Sequence, residues 1–316
     1  MTEENLRAHK LGWIGVGRMG FRLAQRLLAA GCDLSIYNRT RSKAEPLVQE
    51  GARLVDSPGD LATCDVVFTM VSGDDDFREV TLGDRGVLAQ EDAAPKILID
   101  STTISAGMSA EVRVAAEKVG TKLLAAPVSG NPQVVASGKL TLVVSGPADA
   151  FETARPYMDL LGAGSTYVGE ADAARLAKIC HNLMLGVVTQ CMAEITVLAE
   201  KGGLERGAFL EFLNRSVMGS VFTRYKTPAF VKLDYHPTFT PVLLRKDFDL
   251  GLKAARELGV PMPLAALTHE LVQSLIGRGH VDEDFALLLQ QQADASGLKL
   301  EPEEADVSDG LMDEDT

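Results

Sequence analysis

The sequence predicts an α/β domain followed by an all-helical one, and three observations carry that reading. Short apolar runs alternate with helical segments through the first half, the alternation stops near Val168, and the longest apolar helical pattern comes directly after it. The apolar runs fall at residues 11–16, 34–37, 66–71, 97–99, 123–125 and 140–144, a rhythm that specifies a parallel sheet covered by helices. Beyond Val168 the chain reads as helices punctuated by Gly and Pro. The longest covers residues 172–201 and ends at Gly202 and Gly203. At 1.5 Å per residue it would run ~45 Å, and a helix so apolar around its circumference has to be buried, so it is expected to be the spine of the second domain. The expected divisions are 10–168 for the α/β domain, 169–295 for the helical domain, and an acidic tail, 296–316, expected to be disordered.

The bulk composition, 46% apolar and 24% charged, is that of a globular protein. The net charge of −13 is unevenly spread, because the last sixteen residues hold eight acidic side chains and no Lys or Arg. Neither part offers the basic patch that a nucleic acid or an anionic membrane surface requires, so neither partner is expected. The polar start MTEENLRAHK lacks the apolar core of a signal peptide, and Cys32, Cys64, Cys180 and Cys191 have no C-x-x-C spacing. A cytoplasmic protein with free, buried thiols is the expectation. His236, His269 and His280 have no ligand-like spacing, so no metal is expected. Trp13 reads as core, and Asp74, Asp75 and Asp76 as a solvated turn. Arg224 and Lys226 are secondary candidates for meeting an anionic substrate.

The first apolar run leads into Gly15-Val16-Gly17-Arg18-Met19-Gly20 and then into a helix that closes at Gly31. In that order the glycines have separate tasks. Gly15 permits the tight turn, Gly17 lets a pyrophosphate approach the backbone, Gly20 allows close packing of the helix, and the helix N-terminus faces the negative charge. The first domain is therefore predicted to be a Rossmann-type dinucleotide-binding fold. An NAD-binding fold usually places Asp or Glu at the end of the second strand, to bind the ribose 2′-hydroxyl. Here the position is Asn38, followed by Arg39 and Thr40. With no carboxylate to repel it, a 2′-phosphate can be met by these side chains, so NADP(H) is expected to be preferred and NAD to remain usable.

Four more segments join the GVGRMG turn: DSTTIS at residues 100–105, APVSG at 126–130, KICHN at 178–182 and KDFDLGL at 246–252. Taken in this order, over about residues 10–292, they resemble the β-hydroxyacid dehydrogenase family, whose branches include 3-hydroxyisobutyrate dehydrogenases, short-chain semialdehyde reductases and 6-phosphogluconate dehydrogenase. The resemblance implies that Val71, Ser72 and Thr103 border the nicotinamide half of the cofactor. Ser129 and Gly130, with Asn131 beside them, would bind the substrate carboxylate and hydroxyl, and Lys178 would be the catalytic acid/base. Asn182 would orient the substrate, and Lys246 would be a cofactor-side group supplied by the second domain. His181-Asn182 is similar to the 6-phosphogluconate dehydrogenase pattern, which makes His181 a further substrate-binding candidate, while Asn131-Pro132 departs from the further Gly of many relatives. A homodimer or homotetramer is also implied.

The residues themselves support the pairing. Lys178 and Asn182 are four apart on a predicted helix and so share a face, flanked by His181. Desolvation on such an apolar helix lowers an amine's affinity for its proton and brings it nearer the range useful for catalysis. The expected activity is hydride transfer between NADP(H) and a small 3-hydroxy acid or aldehyde acid, such as 3-hydroxyisobutyrate and its semialdehyde. The alternatives are a glyoxylate or succinic semialdehyde reductase and a catalytically silent NADP-binding interaction module, against which Lys178 and Asn182 both argue.

Overall fold

The structure is a computed structural model that describes residues 9–90 and 92–311. The chain divides into two compact units, residues 1–178 and 179–316, and the division falls inside a helix, ten residues beyond the expected boundary.

The first unit opens on β1 (Leu11–Ile14), α1 (Arg18–Ala29), β2 (Leu34–Tyr37), α2 (Glu45–Gln49) and β3 (Arg53–Leu54). It continues with β4 (Val66–Thr69), α3 (Asp74–Leu82), β5 (Ile97–Asp100), α4 (Ala106–Lys118) and β6 (Lys122–Ala125). These strands form one parallel sheet in the order β3-β2-β1-β4-β5-β6. β1, β4 and β5 are buried along their whole length, as strands covered on both faces must be, and this is why they read as unbroken apolar runs. Trp13 is core, as expected. Its ring stacks on Phe68 with centroids 5.3 Å apart, and its Nε1 donates to the Gly15 carbonyl at 2.9 Å. The strand order reverses at β1, so the loops leaving β1 and β4 flank the crevice where such sheets take ligands.

The run at 140–144 does not join this sheet. With β7 (Val128–Ser129), α5 (Pro132–Ala136), β8 (Thr141–Val144), α6 (Ala148–Asp159) and β9 (Gly164–Tyr167), it builds a second sheet in which β8 pairs antiparallel with β7 and parallel with β9. β3 and β9 escaped sequence reading for one reason: Arg53–Leu54 and Gly164–Tyr167 have no fully buried position and hence no apolar run.

α7 (Ala173–Lys201) matches the predicted long helix. By length and composition it could cross a membrane, but more than half of its apolar stretch is buried in the fold. In the second unit it is followed by α8 (Arg206–Arg215), α9 (Val221–Lys232), α10 (Pro241–Glu257), α11 (Pro263–Gly277) and α12 (Leu288–Ala295). Thr240 and Ser220 cap α10 and α9 through their hydroxyls, and Pro241 and Pro263 sit where a missing N–H costs nothing. α7 and α10 cross closely because a Cβ on Gly186 would come within 2.4 Å of the Phe248 ring, and one on Gly251 within 2.6 Å of Leu183. Leu183, Met192 and Val197 of α7 join Phe230, Leu244, Phe248 and Val272 in the core.

Lys226 is not available to a substrate. It is buried against Asp284 at 2.6 Å, and Asp284 also accepts from Thr238 and from the backbone N–H groups of Phe239 and Ala286. Burial alone would raise the Asp284 carboxyl, but the Lys226 ammonium and these donors hold it below the usual carboxylate range. Arg224 donates instead to the Asn214 carbonyl. Cys180 and Cys191 are exposed rather than buried, since they lie on the outer face of α7, whereas Cys32 and Cys64 are buried.

The expectation of a disordered tail fails over its described part. Leu300 and Leu311 are buried, and the Glu303 carboxylate accepts from the backbone N–H groups of Arg206 and Gly207, both at 2.8 Å. α8 has no side-chain cap of its own, so Glu303 supplies from the tail what Glu205 does not. Arg206, buried beneath, donates to the Glu200 carboxylate and to the Phe230, Val231 and Glu301 carbonyls. Asp313, Glu314 and Asp315 lie outside the described residues. Truncation after Ser296 is therefore expected to destabilise the second unit by roughly 3 kcal/mol or more, from the lost Leu300 burial and the lost cap. Glu303→Ala alone should cost about 1 kcal/mol. Denaturant unfolding measures both, and an unchanged midpoint on truncation would contradict the docking.

Candidate cofactor pocket and active site

The glycine turn is shaped by close approaches. Gly15 adopts φ +95°, and a Cβ there would meet the Met70 carbonyl oxygen at 2.2 Å; one on Gly20 would meet the Gly15 oxygen at 2.0 Å. Gly17 faces open space instead, with nothing within 4 Å of its Cβ position. Gly15 and Gly20 thus let the turn and α1 pack, while Gly17 leaves room for a ligand. α1 begins at Gly17 without a side-chain cap, so its first amides remain for an anion. The turn is fixed from outside by the Gly15 N–H on the Tyr37 carbonyl at 2.9 Å and the Val16 N–H on Asn38 Oδ1 at 3.0 Å. Asn38 also donates to the Thr40 carbonyl at 2.8 Å.

Around this turn lies a cavity of about 250 Å³. Of the predicted cofactor residues it is lined by Gly15, Gly17, Met19, Gly20, Asn38, Arg39, Thr40, Val71 and Ser72. Val16 and Arg18 belong to the same turn without lining the cavity, and neither Thr103 nor Lys246 lines it. The lining also includes three charged residues that sequence reading missed, Lys43, Asp76 and Glu79. Lys43 was signalled by its place in RTRSK, four residues after Arg39. In the sequence Asp76 reads as part of a solvated turn, but the three aspartates form the first turn of α3, where acidic side chains suit the helix dipole. The open Gly17 face, the uncapped helix start and the two cations at the end of β2 together fit a dinucleotide.

Beneath the pocket is a buried ionic network. Asp100, at the end of β5, is fully buried and pairs with Arg175 Nη2 at 2.6 Å. Arg175 also donates to the Thr102 carbonyl at 3.0 Å and to Ser109 Oγ at 2.9 Å, and Asp100 accepts from Thr69 Oγ1 at 2.7 Å. Asp172 joins it, with burial opposing its charge while Ser109, Arg113 and Arg175 hold its carboxyl below the usual carboxylate range. Thr102 Oγ1 accepts from the Val71 N–H at 3.1 Å, so the pocket wall and the start of α7 share one hydrogen-bonded frame. Removing one member of such a buried pair typically costs about 3–5 kcal/mol.

Lys178 lies three residues after Arg175 on α7, partly buried, and Asn182 follows one turn later. In the second unit, Asn182 Nδ2 donates to Asp247 Oδ2 at 2.6 Å, and Asn182 Oδ1 is 2.9 Å from His181 Nδ1. With the amide oriented by the carboxylate, the Asn182 oxygen faces the His181 ring. Residues 1–178 meanwhile contain Ser129 as the last residue of β7 and Gly130 directly after it. Gly130 has φ +141°, and Asn131 Oδ1 caps α5 by accepting from Gln133 and Val134 N–H at 2.9 and 3.0 Å. The departure at Asn131-Pro132 therefore has a structural use, a capped helix start.

Two family profiles cover nearly the whole described chain: the NAD binding domain of 6-phosphogluconate dehydrogenase over residues 10–169, and the NAD-binding region of NADP-dependent 3-hydroxyisobutyrate dehydrogenase over 172–291. The chain belongs to the β-hydroxyacid dehydrogenase family. Among its relatives is glyoxylate/succinic semialdehyde reductase 2 of Arabidopsis thaliana, 30% identical over 290 residues that cover 92% of this chain and 81% of that protein. An uncharacterised Bacillus subtilis oxidoreductase, YfjR, is 36% identical over 89% of this chain and 99% of its own length. The solved Mycobacterium tuberculosis 3-hydroxyisobutyrate dehydrogenase with L-serine superposes with a TM-score of 0.77 at 27% identity, covering 90% of this chain and 98% of that one. This β-hydroxyacid dehydrogenase is thus an NAD(P)-dependent oxidoreductase acting on CH–OH groups or the corresponding aldehydes, with a Rossmann-type domain and a helical region after it.

Sequence reading of the family motifs passed over Asp100 and Thr102 within DSTTIS, and Asp247 beside Lys246. Asp100 and Arg175 are 75 residues apart, so no local pattern joins them. The usable signal was a polar residue ending an otherwise apolar strand, which a buried environment tolerates only with a partner.

Proposed function

We propose that this enzyme prefers NADP(H), acts on a small 3-hydroxy acid or aldehyde acid, and uses Lys178 as general acid/base. The cofactor preference is carried by the end of β2: no carboxylate stands there, Asn38 is engaged with the backbone, and Arg39, Thr40 and Lys43 line the cavity. A guanidinium, an ammonium and a hydroxyl are the groups that bind a 2′-phosphate. The nicotinamide cofactor, when bound, supplies or takes up the hydride. Lys178 Nζ gives a proton to the developing alkoxide in reduction and takes it back in oxidation. Ser129 and the backbone at Gly130 bind and orient the substrate's oxygens, with Asn131 holding that loop. Asn182 orients the substrate hydroxyl, its amide held by Asp247. The names of the relatives, a semialdehyde reductase and a 3-hydroxyisobutyrate dehydrogenase, support this substrate class. Self-association is part of the reading, supported by the exposed Met184 and Leu198 along α7.

Arg39→Leu should weaken NADPH binding by about 1.5–3 kcal/mol, the range for a charge-assisted hydrogen bond, while NADH is almost unaffected. Fluorescence titration with each cofactor measures this, and equal losses would refute the preference. Lys178→Ala should lower turnover by about 10²–10⁴ with NADPH affinity nearly intact, since the glycine turn and Arg39 hold the cofactor. Lys178→Arg should not restore it, because a guanidinium stays protonated. If Lys178→Ala kept more than about a tenth of the rate, the proton would have another source and the assignment would fall.

A further inference from the structure

We propose that Asp76 sets the cofactor selectivity of this enzyme by competing with a 2′-phosphate for Arg39. The proposal rests on the reading of Arg39 as a phosphate ligand and goes a step beyond it. β2 and β4 lie on either side of β1, so the residues after their C-terminal ends face each other across the glycine turn. Arg39 comes from the β2 side and Asp76 from the β4 side, and Arg39 Nη1 meets Asp76 Oδ1 at 2.7 Å within the cavity lining. Asp76 is held in that place. Asp74 Oδ1 accepts from the Ser105 N–H at 2.8 Å and its other oxygen from the Ser105 hydroxyl, which pins the start of α3 and leaves Asp76, two residues on, at the pocket mouth. Arg39 is 80% exposed and its partner 30%, so the guanidinium is the mobile member of the pair.

A dinucleotide with a 2′-hydroxyl leaves this ion pair intact. A 2′-phosphate has to draw Arg39 away from Asp76 or share it, and either way it comes to rest near a carboxylate, with Glu79 one turn further along the same wall. The two cations of the cavity, Arg39 and Lys43, are thus partly offset by two carboxylates, which lowers NADP(H) affinity and narrows its lead over NAD(H).

The test measures dissociation constants for NADPH and NADH by fluorescence titration on the wild type, Asp76→Asn, Arg39→Leu and the double variant. Asp76→Asn should tighten NADPH about fivefold, the scale of one partly exposed charge interaction, with NADH within about twofold. In the Arg39→Leu background the gain should fall to less than half, because no guanidinium remains to be released. If Asp76→Asn leaves NADPH unchanged or weakens it while Arg39→Leu still loses NADPH selectively, Asp76 positions Arg39 rather than competing for it, and the proposal is overturned with the phosphate reading intact. If Arg39→Leu weakens both cofactors equally, the phosphate reading fails and takes the proposal with it.

Discussion

The Asp100–Arg175 pair ties the sheet to the start of the long helix, and the placement of Lys178 depends on it. Asp100 ends β5 with no access to water, a position tolerable only because Arg175, Thr69 and the Thr102 N–H satisfy its carboxylate. Arg175 in turn spends its guanidinium on Asp100, Thr102 and Ser109, which fixes the rotation of the first turns of α7. Lys178 is three residues further along, so its direction is set by the same bonds. Through Thr102 and the Val71 N–H, this frame also reaches the wall of the cofactor cavity.

A hydride transferase needs its proton donor held in register with its cofactor, because a misplacement of about 1 Å can cost orders of magnitude in rate. Within the first unit, hydrogen-bonded polar groups join the cavity wall at Val71 to the helix turn that carries Lys178. The same economy explains the cavity's charge pattern. Arg39, just after β2, is paired with Asp76 of α3 in the cavity lining, and under the proposed competition cofactor affinity becomes a balance between the two.

Much of this was legible in the sequence wherever the constraint is local. The glycine turn is dictated by contacts between backbone atoms a few residues apart, and the strands β1, β4 and β5 are buried on both faces, so each left a direct trace. β3 and β9 left none because they are partly exposed edges. The tail misled for a similar reason. Its composition is that of a disordered segment, yet Glu303 caps a helix that starts 97 residues earlier and Leu300 is buried. Asp76 looked like solvated charge because the residue it faces is 37 positions away. Lys178 and Asn182 lie on one helix, as their spacing predicts, but the spacing does not reveal Asp247, which orients the Asn182 amide.

The claim that the chain is a working reductase of small aldehyde acids is tested most directly on the wild-type enzyme, by following nicotinamide absorbance with glyoxylate, succinic semialdehyde and methylmalonate semialdehyde, each with NADPH and with NADH. The account predicts oxidation of NADPH with at least one of these substrates, with a higher kcat/KM than NADH gives on the same substrate. No consumption of either cofactor with these acids, or with the matching 3-hydroxy acids in the reverse direction, from protein that still binds NADPH, would contradict it and favour a silent dinucleotide-binding module.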